Sequence, residues 1–134
     1  MKSIVTLLLC LAATAPGTAA MAHSAHAARP GASAVVATDA ELTRTELKRM
    51  AIMAADGFAR ALRPVHAPFD GDTVFALSTA KKQISEPRGL DVMRMGSLAA
   101  DCLARAIARG VFEAESMGGV KSYREFFSKG EKRS

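Results

Sequence analysis

The sequence has no tryptophan, a single tyrosine and six phenylalanines, so aromatic residues make up only 5% of its 134 positions. Rings that scarce give no platform for stacked bases, which argues against single-stranded nucleic acid as a partner. Cysteine is nearly as rare: Cys10 lies in an apolar run near the start, and Cys102 is the other. If the run is removed, Cys102 is left without an intramolecular disulfide partner. The apolar run, residues 4–13, falls short of the roughly 20 residues that span a bilayer, so no membrane anchor is expected. Cys10 follows Leu9 rather than a small residue, which argues against lipidation. Missing too are a Gly-rich phosphate loop, a CxxC pair and any metal-spaced cluster. His23 and His26 stand three apart with no third ligand near them, so no metal site is expected there. The net charge of +5 is modest, and its one dense stretch is the tail. That stretch reads as solvated chain rather than a nucleic-acid patch.

What is present begins with a leader. Lys2, the apolar run and the small residues at Ala20, Ala22, Ala25 and Ala27 have the layout of a secretory signal peptide. Residues 1–22 are therefore expected to be a signal peptide, and residues 23–32 a flexible leader ending in Arg29-Pro30-Gly31. Residues 33–128 form one partial domain, and residues 129–134 a basic tail. The leader implies a secreted or periplasmic protein.

Within the domain the pattern is β-α-β-α. Residues 33–38 are small and β-branched and predict a buried strand. Thr43 and Glu46 stand in capping-box spacing. Beyond them Leu47, Met50, Ala51, Ala54, Phe58, Ala61 and Leu62 recur on one helical face until Pro64 stops the helix. Residues 73–77 are apolar on both faces after Thr73, which predicts a strand covered on both sides. Residues 81–88 read as a polar loop. From about Leu90 a second helix carries the stripe Met95, Leu98, Ala99, Cys102, Leu103, Ala106, Ile107, Gly110 and Val111. Its many small residues suit a helix pressed flat on a sheet. Residues 116–119 break the pattern, and residues 123–127 form a last helical turn. Two strands and two helices bury little core, so the unit is expected to self-associate or to need a partner.

The chemistry concentrates at residues 64–79. A proline ends the helix, a short loop carries His66, and Asp70-Gly71-Asp72 turns the chain into the second strand. Two carboxylates at a strand mouth are costly unless something uses or neutralises them. Asp-Gly is also a common turn dipeptide, so turn and site both remain open for Asp70 and Asp72. His66 reads as a structural hydrogen-bonding residue of the loop. Cys102 reads as a small buried residue, with no basic neighbour on its face to activate it.

The same stretch resembles a known family. Residues 64–79, together with Val35-Val36-Ala37-Thr38-Asp39-Ala40 and with residues 98–107, look like the C-terminal part of the DmpA-type L-aminopeptidase/D-esterases. The resemblance runs from about Ser33 to about Glu115. It implies an incomplete part of a DmpA/ArgJ-like layered α/β sandwich, to which both halves of a longer precursor contribute. It also implies hydrolytic release of N-terminal amino acids from peptides, amides or esters, without a cofactor. In that family the precursor cuts itself, and the new N-terminal Ser or Thr is the nucleophile, with its own α-amine as base. The corresponding place here is Gly31-Ala32, which has no hydroxyl. Ser33 stands one or two residues further on, where strand alternation turns its side chain to the other face. Asp70 and Asp72 fall where the family keeps a polar-Gly-acid element that orients the nucleophile and its amine. The resemblance thus implies peptide or amino-acid amide substrates and a missing N-terminal half as partner. It also offers the cytoplasm as an alternative location, since members of this kind are often intracellular.

Overall fold

A computed structural model describes residues 8–9, 32–68 and 71–128. The elements are β1 (Leu8–Leu9), β2 (Ser33–Ala40), α1 (Arg44–Ala61), β3 (Thr73–Lys82), α2 (Arg88–Glu113) and α3 (Tyr123–Ser128). The β-α-β-α order holds for the body of the domain, with β2 and β3 forming a parallel pair. The sheet gains a third strand that the sequence pattern did not suggest. Leu8 and Leu9, inside the segment read as an export signal, pair antiparallel with Val36 and Val35. The order across the sheet is β1-β2-β3.

Helix α1 starts as its sequence dictates. The Thr43 amide donates to the Glu46 carboxylate at 2.8 Å, and the Glu46 amide donates to the Thr43 hydroxyl at 3.3 Å. Each group satisfies an amide the helix cannot. The helix closes at Leu62, whose amide reaches the Phe58 carbonyl, two residues before Pro64. At the head of α2 the Glu86 carboxylate accepts from the Arg88 amide, and Asp91 accepts from the Ser85 amide.

Both helices lie on one face of the sheet. Val36 and Ala40 of β2 pack with Met50 and Ala54 of α1 and with Val92, Met95 and Ala99 of α2. A second cluster, Ala34, Phe58 and Leu103, closes the end where the strands begin. The buried seam of α2 is Val92, Met95, Gly96, Ala99, Ala100 and Leu103. It differs from the sequence stripe: Leu98 is 50% exposed, and Gly110 and Val111 are exposed. The shift arises because α2 packs sideways against α1 as well as on the sheet. Its small residues serve that helix contact. A Cβ on Gly57 would stand 2.5 Å from the Ala100 carbonyl oxygen, and one on Gly96 would stand 2.5 Å from Met53 Sδ.

Strand β3 corrects two expectations. It runs on through Lys81 and Lys82, which the sequence placed in a loop, and the Lys82 ammonium meets Asp39 at 2.7 Å. It is also covered on one side only. Val74 and Ala76 pack inward, whereas Phe75 is 59% and Leu77 45% exposed. Register places Val35 beside Phe75 and Ala37 beside Leu77. In a parallel pair such partners share a face, so one side of the sheet is an open apolar surface.

Residues 116–122 turn the chain back. Met117 and Val120 bridge across Gly118 and Gly119, both with positive φ, and α3 follows. No helix among the described residues is long and apolar enough to cross a membrane.

Candidate functional site

The two parallel strands begin at the same end of the sheet, and the residue before each one is Ala32 or Asp72. Ala32 is held through both of its backbone polar groups. Its carbonyl accepts from the Thr73 amide at 2.9 Å, which continues the β2–β3 ladder by one residue. Its amide donates to Asp72 Oδ1 at 2.8 Å. The other carboxylate oxygen, Asp72 Oδ2, is buried and has no hydrogen-bond partner among the described residues. An ionised oxygen kept from water without a donor is costly, because it has lost its hydration and gained nothing in return. Such an atom marks the place where a cation or a strong donor would be held most favourably.

Local sequence explains how Asp72 arrives there. Gly71 gives the approach to β3 a small residue, and the Thr73 hydroxyl donates to the Gly71 carbonyl at 3.2 Å. The ladder then fixes Thr73 opposite Ser33, which brings the Asp72 side chain to the Ala32 amide. Asp70, the other carboxylate of the motif, lies outside the described residues, as do Gly31, His23, His26 and residues 129–134.

Asp72 engages the residue before Ser33, not Ser33 itself. Ser33 is exposed while Ala34 is buried against the helices, so the serine faces the open side of the sheet. That is the placement strand alternation dictates. His66 sits exposed in the loop after α1 with φ at +55°. Cys102 is half-buried on α2 rather than fully buried. Among the described residues no three of His, Cys, Asp and Glu are grouped to hold a metal ion.

One electrostatic feature that braces the unit had no clear signature in sequence. Arg88 forks onto Glu46, with Nε donating to Oε1 at 2.9 Å and Nη2 to Oε2 at 2.8 Å. Nη2 also donates to the Glu41 carbonyl at 3.0 Å. The Arg88 guanidinium, followed by the Thr43 amide, lowers the Glu46 carboxyl to about 2. One side chain thereby caps α1 and ties it to the head of α2. The capping half was readable from Thr43 and Glu46, but only the fold brings Arg88, forty-two residues on, to the same carboxylate.

Comparison with known proteins adds the ancestry. The sequence pattern of Peptidase family S58 matches residues 9–124, a wider span than residues 33–115. An uncharacterized aminopeptidase of Mycobacterium tuberculosis is 43% identical over 102 residues, covering 69% of this chain and 30% of that protein. The same figures hold for an uncharacterized aminopeptidase of Mycobacterium bovis. One from Mycobacterium leprae is 43% identical over 99 residues, covering 66% of this chain and 27% of its own length. The chain thus spans under a third of the length of these curated relatives.

Proposed function

This chain belongs to peptidase family S58, and on that footing we propose that it is a truncated member, one part of a DmpA-type aminopeptidase unit that is inactive by itself. The activity to which it would contribute is hydrolytic release of N-terminal amino acids from peptides, amides or esters. The observation that carries this reading is the Asp72 carboxylate, fixed on the Ala32 amide with its second oxygen buried and unpartnered among the described residues.

The chemistry follows from what that oxygen favours. A carboxylate beside an ammonium group keeps both charged, so Asp72 suits the orientation of an α-amine at the head of β2. Asp70, two residues before it in sequence, belongs to the same proposed element. Amide hydrolysis further needs a nucleophile with an adjacent base, and donors aimed at the developing oxyanion. Gly31 and Ala32 supply no hydroxyl, and Ser33 faces away from Asp72. The oxyanion-forming part would come from the family's N-terminal half, packed on the open sheet face of Phe75 and Leu77 to complete a layered α/β sandwich.

The expected result is no turnover above background on amino-acid p-nitroanilides or amides by the chain alone. Activity that appears only when a separately expressed N-terminal half from a family member is added, and that Asp72→Asn reduces, would make the chain a working subunit instead. Activity of the chain alone that Ser33→Ala abolishes would overturn the reading, by making the serine a working nucleophile. A second reading, a non-enzymatic remnant that associates with itself, draws on the same exposed Phe75 and Leu77. It would be favoured if the added half binds without producing turnover.

We also propose export, from the layout of residues 1–22. The processed chain would start near His23 or Ala28, and its sheet would lose the Leu8–Leu9 strand, leaving the outer edge of β2 unpaired. N-terminal sequencing of secreted or periplasmic protein tests this. Recovery of the chain from the cytosol with Met1 intact would refute it.

A further inference from the structure

We propose that the outer face of the helix pair docks an acidic amphipathic helix of another protein. This face is the side of α1 and α2 turned away from the sheet, opposite the open strand surface. The two helices run in the same direction and in close contact. Arg88 meets Glu46, Met53 lies against Gly96, and Arg60 pairs with Asp101. Helices packed side by side leave a shallow groove between them along their outer side.

The charge on this face is unbalanced. Lys48, Arg49, Arg63, Arg105 and Arg109 are exposed, and none of them joins a hydrogen bond or an ion pair among the described residues. The acids of the two helices are mostly engaged. Glu46 holds Arg88, Asp91 holds Arg94, Asp101 holds Arg60 and Glu113 holds Arg124. Asp56 is the carboxylate of these helices left without a partner among the described residues. Helix dipoles do not account for the excess, since Lys48 and Arg49 stand in the N-terminal half of α1, where a cation gains nothing from the dipole.

The pattern of charge selects the partner. Lys48 and Arg49 mark one end of the face, and Arg63, Arg105 and Arg109 mark the other, about four helical turns away. Between these levels Ile52, Met93 and Leu98 are 52%, 53% and 50% exposed. Arginine predominates among the cations, and its forked donors suit carboxylates. A membrane or a nucleic-acid duplex presents phosphate along its whole length and would press on Asp56 and Asp101 at the centre. An amphipathic helix instead sets acids against both cationic ends and apolar side chains against the middle.

The test uses the full chain and a labelled synthetic helix with glutamates at both ends and leucines on one central face. Fluorescence anisotropy should show saturable binding that weakens as salt is raised through the screening range. A peptide of the same composition in scrambled order should bind about tenfold more weakly or worse. Arg105→Glu with Arg109→Glu should cost roughly tenfold or more, because like charges then face the glutamates. Ile52→Ser with Leu98→Ser keeps every cation and should cost a similar factor. Both variants should melt as the parent does by circular dichroism, because all four altered side chains are exposed. Three results would overturn the proposal: no saturable binding of the helix, equal binding of the scrambled peptide, or variants that bind as the parent does. Tighter binding of duplex DNA or of phosphatidylglycerol vesicles than of the helix would also overturn it, by assigning the cations to phosphate.

Discussion

The Asp72 carboxylate and the Ala32 amide, forty positions apart in sequence, are joined by a 2.8 Å hydrogen bond at the common head of two parallel strands. The Ala32 carbonyl accepts from the Thr73 amide. Both strands therefore start in fixed register around one residue, with the second carboxylate oxygen buried and without a hydrogen-bond partner among the described residues.

Removing that carboxylate should weaken the fold only a little. Asp72→Ala loses a charge-assisted hydrogen bond but also relieves the unpartnered oxygen, so the expected loss is about 1 kcal/mol. Urea unfolding measures it. A loss above roughly 3 kcal/mol would mean that Asp72 braces the sheet and does not serve chiefly as a site.

Acid should loosen the join between the two helix heads. The folded-state pKa of Glu46, about 2, lies below its ordinary value of 4.5. Its contribution is complete above about pH 4.5 and is lost as pH falls toward 2. Glu46→Gln should flatten the pH dependence of the thermal midpoint in that window. An unchanged profile in the variant would show that other carboxylates govern acid unfolding.

The helix crossing should reject one extra methyl group. At Gly57 a Cβ meets the Ala100 carbonyl oxygen, a backbone atom that cannot swing aside. Gly57→Ala should therefore destabilise by about 1–3 kcal/mol. Gly110, in the same helix as Ala100, has open space around it. Gly110→Ala should stabilise by roughly 0.5–1 kcal/mol, since alanine suits a helix better. Paired melts of the two variants separate close packing from helix propensity.

The open sheet face should make the isolated chain associate. Phe75 and Leu77 expose an apolar surface that neither helix covers. Light scattering should find oligomers or aggregates, and Phe75→Lys should shift the population toward monomer. A monodisperse monomer with a sharp cooperative melt in the unaltered chain would show that this face is stable in water.

Some of this was already in the order of residues. Thr43 and Glu46 fix where α1 starts and Pro64 where it ends, because capping and the missing proline amide act over a few residues. Alternating small and branched side chains mark β2 for the same reason. The Asp70-Gly71-Asp72 wording marks a carboxylate at a strand head before any partner is known. Other features depend on which surfaces meet. The seam of α2 runs through Val92, Gly96 and Ala100 rather than Leu98, because α2 lies against α1 as well as on the sheet. Phe75 and Leu77 look buried in sequence, since hydrophobicity records what a residue prefers and not what covers it. The joins from Ala32 to Asp72 and from Glu46 to Arg88 each span forty residues or more. Short-range chemistry placed each of these groups on its own element, and only tertiary packing brought the elements together. The sequence by itself therefore determined β2, α1 and the chemical character of the site, whereas the added strand β1, the full reach of β3 and the partner of each charge were decided by the fold.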